Sequence, residues 1–458
     1  MIYNPHTQEA YNLLHQGSLS LQRAESNGFR IDVDYCQRKI HQLERKMVSL
    51  EEEFKETAFF RHWEHATSGK VNINSPSQLS NFLYNIKKLK PAKLTETGKG
   101  STDEEALDAL NIPELKALAQ KGKLKKCKDV LQGFLTEQVD GVLHPSYNLH
   151  LVVSHRSSCT SPNMQNTPKR DPESMKIVRT AIIPPDGFQF MEVDFKGIEV
   201  AINCAYNKDT NLVNYVSDPT TDMHRDMAIQ IFKLDDYDKS IHKGLRYTAK
   251  NGFVFPQFYG DYYKNCANNM ACTQGQLPQG KWKAGQGIQF GDTYLSDHFI
   301  SKGIKSFDNF VDHVKEIEDD FWGNRFEEYG EWKDMWWKTY KKYGYFTMLT
   351  GFQCSGVMNK KEVCNYPGQG SAFHCLLKTF IDTDALITKE KLSSRLIGQI
   401  HDSEILCAYP DEVEYLKEKI NKIVTVDLPN FWKWINVPLS VEYSIGSVNQ
   451  PWSEKIEE

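Results

Sequence analysis

Residues 395–410 read RLIGQIHDSEILCAYP. Leu396–Ile400 and Ile405–Ala408 form two apolar arms, and His401, Asp402 and Ser403 stand at the polar tip between them, which is the pattern of a β-hairpin. A second strand pattern, GFQFMEVDF (187–195), lies far upstream and closes at Asp194. Two carboxylates brought together from distant strands can hold a pair of Mg²⁺ ions roughly 3.5–4 Å apart, an arrangement suited to in-line displacement at phosphorus. Hard oxygen donors suit Mg²⁺, which also takes oxygens from substrate phosphates. The plain alternative is that each Asp only caps a strand or a turn, as Asp commonly does.

The stretch RYTAKNGFVFPQFYG (246–260) supplies charges of the opposite sign. At i,i+4 on a helix, Arg246 and Lys250 share a face with Cβ atoms about 5–6 Å apart. They repel there unless an anion sits between them. Arg forks onto phosphate oxygens and Lys supplies a mobile point charge. Phe253, Phe255, Phe258 and Tyr259 follow, around Pro256 and before Gly260. Cations beside flat rings fit the phosphates and base of a nucleoside triphosphate. His224, just inside a helix in TTDMHRDMAIQIF capped at Asp222, is a candidate third donor. An ordinary basic helix face is the alternative.

A chain of 458 residues suggests roughly three domain-sized units. Its net charge of −5 means that nucleic-acid binding must use local basic surface. Lys87, Lys88, Lys90, Lys93 and Lys99 give such a patch, with Glu96 as the only nearby acid, and Lys121 to Lys128 give another. Each run reads either as solvated surface or as contact with backbone phosphates. No apolar run reaches the ~18 residues of a membrane span. MIYNPHTQEAYNLL lacks a secretory pattern, so the expected location is cytoplasmic (host cytoplasm for a viral source). The ten cysteines contain no CxxC pair; Cys266 and Cys272, six apart, have no histidines at zinc spacing, and reduced thiols are expected. Residues 29–57 read as one long helix with Ile40, Leu43, Met47 and Leu50 on its apolar stripe.

In VDFKGIEVA, Glu199 follows Asp194 by five residues. With RYTAKNGFVFPQFYG and QIHDSEIL, these segments resemble motifs A, B and C of the A-family DNA polymerases, the family of bacterial DNA polymerase I and many bacteriophage replicative polymerases. DMHRDMAIQIF resembles the family's Asp-x-His segment, SHRSSCTSPNMQNTP its Pro-Asn-x-Gln-Asn-x-Pro stretch, and NYPGQGSAFHCLLK its Asn-x-Pro-x-Gln-Gly segment. GSLSLQRAESNGFRIDV and INSPSQL resemble its thumb, and VPLSVEYSIGS its C-terminal strand.

The resemblance implies an α+β right-hand polymerase fold with an antiparallel-sheet palm and helical fingers and thumb. It would place an N-terminal segment over 1–20, the thumb over 21–130, the palm over 131–205 and 350–458, and the fingers over 206–349. It implies that Asp194 and Asp402 bind two Mg²⁺ ions, and that His224, Arg246, Lys250, Phe255 and Tyr259 hold the incoming dNTP, with Arg246 and Lys250 also catalytic. Glu199 would exclude the ribose 2′-hydroxyl. Arg156, Asn365, Gln369 and His401 would contact primer–template DNA, and Lys87, Lys88, Lys90 and Lys93 would lie over the duplex. The implied activity is template-directed DNA synthesis by a monomer. With no room for an exonuclease before residue 17, proofreading or processivity would come from separate partners. A single-subunit RNA polymerase and a non-catalytic DNA-binding hand are the rival readings; Glu199 speaks against the first.

Four departures from the family pattern stand out. Motif B is one residue longer than in most members, with the extra residue between Lys250 and Phe255, so a bulged or bent helix is expected around Pro256. In motif C, Ser403 stands where the family has Glu, and Glu404 is one step on, a step that faces the other side of a strand. Lys361 replaces an Arg. Residues 261–305 form an insertion expected to extend the fingers.

Overall fold

The predicted hairpin and the predicted upstream strand lie side by side in one antiparallel sheet of five, in the order Arg395–Ile400, Ser403–Ala408, Gln189–Phe195, Val441–Ile445, Ile456–Glu457. The structure is a computed structural model and describes residues 7–91, 93–95, 97–169 and 171–457. Glu96 and the first six residues of the N-terminal segment lie outside the described residues. Among the described residues no helix is long and apolar enough to cross a membrane.

The chain divides into two compact units, one made of Met1–Arg38, Val130–Thr221 and Asp320–Glu458, the other of Lys39–Asp129 and Asp222–Asp319. The first unit carries the sheet. Its central strands are apolar on both faces: Phe190, Met191, Val193, Ile405 and Leu406 are all buried. Such near-continuous apolar runs are what a sheet covered on both sides requires. One cover is the helix Lys360–Glu390, started by a capping box in which Asn359 accepts from the Glu362 amide and Glu362 accepts from the Asn359 amide. Its Gly368 permits close approach to the helix Ile198–Asn207, because a Cβ there would lie 2.3 Å from Asn203 Oδ1.

The second unit holds an aromatic cluster of Phe54, Phe59, Trp63 and Phe82 closed by Leu79, Leu83, Leu107 and Leu115. Within the insertion, Phe299 lies 5.4 Å from Trp282, and it also stacks on Phe232 and packs against Phe310. The two segments of this unit touch: Lys90 Nζ donates to Gln279 Oε1 at 2.9 Å, and the helix Glu104–Ala109 packs against the π turn Asn268–Gln274.

Two boundaries move from their sequence expectation. The long helix runs over Val33–Lys55 rather than 29–57, because Phe29 and Arg30 pair as a strand with Leu143 and Val142. The first catalytic-candidate strand begins at Gln189, after a turn at Gly187 with φ of 82°.

Candidate active site

Sheet register brings the two acidic residues together. Ser403 pairs directly with Asp194, and the Phe195 amide donates to the Asp402 carbonyl at 3.2 Å. Asp402 thus sits in the two-residue turn against the end of the Asp194 strand, with His401 at φ of 55° completing the turn. Burial and the charge of Asp402 hold the Asp194 carboxyl above the usual range, while Lys169 pulls the other way. Asp402 is raised by burial and by Glu199, against its backbone hydrogen bond, Lys169 and Arg156. Among the described residues no group of three or more His, Cys, Asp or Glu forms a closed metal cage. Two carboxylates in mutual repulsion, Asp194 half-buried and Asp402 exposed at the turn, are a donor set that fits Mg²⁺, which keeps most of its sites for water and phosphate oxygens.

Beside them opens a cleft of about 540 Å³ lined by Arg156, Ser157, Gln165, Tyr366, Gln369 and His401, among others. Three of the residues expected at DNA therefore share one wall, and Asn365 stands one turn before Gln369 on the same helix. The Gln399 carboxamide ties the cleft together, accepting from Ser157 Oγ at 2.6 Å and Gln165 Nε2 at 2.9 Å. Glu199, in the first turn of its helix, lies 3.7 Å from Arg156 Nη1.

In the second unit, Asp222 caps the helix Met223–Ile231 by accepting from the His224 and Arg225 amides. The same carboxylate takes Arg246, whose Nε and Nη2 are each 2.8 Å from Oδ2. Burial opposes ionisation of Asp222, but the Arg225 amide and the Arg246 guanidinium outweigh it and hold the carboxyl below its ordinary range. The anion that the Arg246–Lys250 pair calls for is, on the arginine side, Asp222. Burial, with Lys250 and Arg246 nearby, lowers His224 to about 4, so its ring is neutral at pH 7 and donates one proton at most.

After Lys250 the helix Lys239–Ala249 passes into a π turn over Lys250–Val254, then a short α turn Phe255–Phe258. A π turn absorbs one extra residue inside a helix, and it falls in the interval between Lys250 and Phe255 where the sequence reading expects one. Phe255 and Tyr259 stack at 6.0 Å, with Lys250 Nζ 5.1 Å from the Phe255 centroid. Phe253 and Phe258 are buried core instead, so the aromatic wall seen in the sequence divides into two half-buried partners and two packed ones.

Residues 33–281, more than half of the chain, match DNA polymerase family A. The chain belongs to DNA polymerase family A. It is 27% identical over 449 residues to DNA polymerase I of Bacillus subtilis, covering 94% of this chain and 44% of that protein. It is 26% identical to DNA polymerase I of Aquifex aeolicus, covering 94% of this chain and 65% of that one. A DNA polymerase of Escherichia phage T5 matches at 29% over 55% of this chain and 30% of its own length. The chain therefore spans under half of the Bacillus protein and of the phage protein. In fold it is similar to the POL domain of Pol1 from M. smegmatis in complex with DNA primer–template and dNTP, with a TM-score of 0.73 at 20% identity over 96% of this chain and 70% of that one.

Within this family A chain, some groups were not evident from the sequence motifs. Lys169 Nζ lies 3.3 Å from Asp194 Oδ2 and 3.5 Å from Glu192 Oε1. Glu192 is 4% exposed and also meets Arg179, Lys455 and the Ser403 hydroxyl. Strand alternation, two residues before Asp194, was the available signal for Glu192; Lys169 had none. Glu404 faces away from Asp194: it pairs across the sheet with Val193, accepts from Thr383 Oγ1 at 3.2 Å, and burial pushes its carboxyl up to about 8. Ser403, not Glu404, pairs opposite Asp194.

The lysines also separate. Lys88, Lys90, Lys93 and Lys99 are exposed, although Lys93 pairs with Asp103 at 2.9 Å. Lys87 lies over the rings of Phe59 and Phe82. In the second run Lys121, Lys123 and Lys128 pair with Glu51, Glu104 and Glu44, which favours the solvated-surface reading there.

Proposed function

We propose that this chain is a template-directed DNA polymerase that adds deoxynucleotides to a primer 3′-hydroxyl. The observation that carries the reading is the meeting of Asp194, near the end of its strand, with Asp402 in the hairpin turn that adjoins it. In the reaction the primer 3′-oxygen bonds to the α-phosphorus as the bond to pyrophosphate breaks, and the hydroxyl proton leaves to solvent. Such transfers depend mainly on positioning and charge neutralisation.

Asp194 and Asp402 would hold two Mg²⁺ ions, which when bound neutralise phosphate charge and polarise the reacting oxygens. Arg246 and Lys250 bind the triphosphate, with His224 giving one neutral N–H donor. Phe255 and Tyr259 offer stacking surface to the base. Glu199, steadied by Arg156, excludes a ribose 2′-hydroxyl. Arg156, Asn365, Gln369 and His401 orient the primer end and template, and Lys88, Lys90 and Lys93 contact duplex phosphates. In this reading 21–130 serves as thumb, 131–205 and 350–458 as palm, and 206–349 as fingers with the 261–305 insertion. The likeness to the phage T5 enzyme supports a bacteriophage-type polymerase.

Primer extension with Mg²⁺ and dNTPs tests the proposal. Extension is expected with dNTPs well above rNTPs. Undiminished extension after Asp194→Ala and Asp402→Ala would overturn it.

A further inference from the structure

We propose that Lys169 is a resident counter-ion of the Asp194–Asp402 pair, a positioning residue that competes with divalent metal for those carboxylates, and that Glu192 is the anchor that keeps it when metal enters. The inference rests on the metal-binding reading above.

Four observations support it. The Lys169 ammonium bridges two acids, 3.3 Å from Asp194 Oδ2 and 3.5 Å from Glu192 Oε1. Asp402 adjoins the carboxylate that Lys169 holds, because the Phe195 amide donates to the Asp402 carbonyl and Ser403 pairs with Asp194. Its side chain is 54% exposed, so it can swing without breaking a core. Glu192 is held on its other side by Arg179 and Lys455, and it lies on the same sheet face as Asp194, two residues earlier. A cation bound to Asp194 must leave, or share the carboxylate at a repulsive cost, before a divalent ion can bind there. Because Glu192 is already within reach, Lys169 needs only to shed its Asp194 contact. The ammonium is a mobile point charge, well suited to such a hand-over.

The test is titration of the whole chain, free of DNA, with Mn²⁺, following the loss of the free-ion electron paramagnetic resonance signal. Lys169→Met keeps the aliphatic stem and removes the charge. It should bind Mn²⁺ about three- to tenfold more tightly than the wild type, and Lys169→Arg should restore wild-type affinity. A merely structural role for Lys169 would not produce a gain in affinity. Unchanged or weaker Mn²⁺ binding by Lys169→Met overturns the proposal. Asp402→Asn separates it from its foundation: if that variant binds Mn²⁺ as the wild type does, the metal reading itself fails.

Discussion

Arg246 is held by Asp222, with both Nε and Nη2 at 2.8 Å from one carboxylate oxygen. The other oxygen, Oδ1, accepts from the His224 and Arg225 amides and caps the helix that carries His224, so one side chain sets the start of a helix and the resting place of the Arg246 guanidinium. Asp222→Asn keeps a capping oxygen and releases the guanidinium, whereas Asp222→Ala removes both functions. We expect Asp222→Asn to lower the dNTP dissociation constant several-fold in single-turnover titrations at near wild-type stability, and Asp222→Ala to cost about 1 kcal/mol of stability in urea unfolding.

The aspartate pair predicts a steep loss. Asp194→Asn and Asp402→Asn should each lower single-turnover incorporation by roughly 10²-fold or more, as expected when charge stabilisation of phosphoryl transfer is removed. Glu404→Gln, on the sheet face turned away from Asp194, should retain most of the rate. Equal losses in Asp402→Asn and Glu404→Gln would contradict the division of faces described above.

Gly252 sits inside the π turn where a Cβ would come 2.3 Å from Met270 Cγ. Gly252→Ala should destabilise the protein by about 1–3 kcal/mol through overpacking. In a Met270→Ala background the added cost of Gly252→Ala should fall, and a thermodynamic cycle of the four proteins measures that coupling. Strict additivity would show that the two side chains do not compete for the same space.

His374 is buried, stacked on Phe352 at 4.1 Å, and its Nε2 donates to the His155 carbonyl while Thr350 supplies a proton to Nδ1. Burial and His155 lower it to about 3. The unfolded chain therefore binds this proton more tightly than the native one between about pH 6.5 and 3, and stability falls as pH drops through that window. The expected slope is about 1.4 kcal/mol per pH unit, so roughly 2 kcal/mol is lost by pH 5. Urea titrations across pH should show that limb flattened in His374→Gln.

Neighbouring lysines should behave differently. Lys88→Gln should make the salt dependence of DNA binding shallower by about 0.9 in the log–log slope if it touches one phosphate. Lys87→Ala should instead lower stability by about 0.5–1 kcal/mol through its lost ring contact. Filter-binding at several salt concentrations, together with thermal melts, separates the two.

Much of this was legible in the sequence, because the strand that carries Asp194 and the hairpin arms that flank Asp402 have strong apolar patterns and the turn at 401–402 has polar punctuation. The bulge after Lys250 was legible too, since an added residue and a proline leave a helix few ways to continue. Lys169 and Glu192 were less accessible. A lone lysine on an irregular segment carries no periodicity, and its partner is fixed only when the sheet forms. Asp222 was visible as a cap, but its second duty depends on where Arg246 lands, which is a tertiary matter. The lysine-rich segments look alike in composition, and only the acids opposite them tell Lys121 from Lys88.

The contact between the helix Glu104–Ala109 and Asn268–Gln274 has a bearing on cooperativity. Segments distant along the chain cover each other there, so loosening either one bares the other to solvent. Their backbone amides should therefore share a common protection level in hydrogen exchange and open as a single foldon.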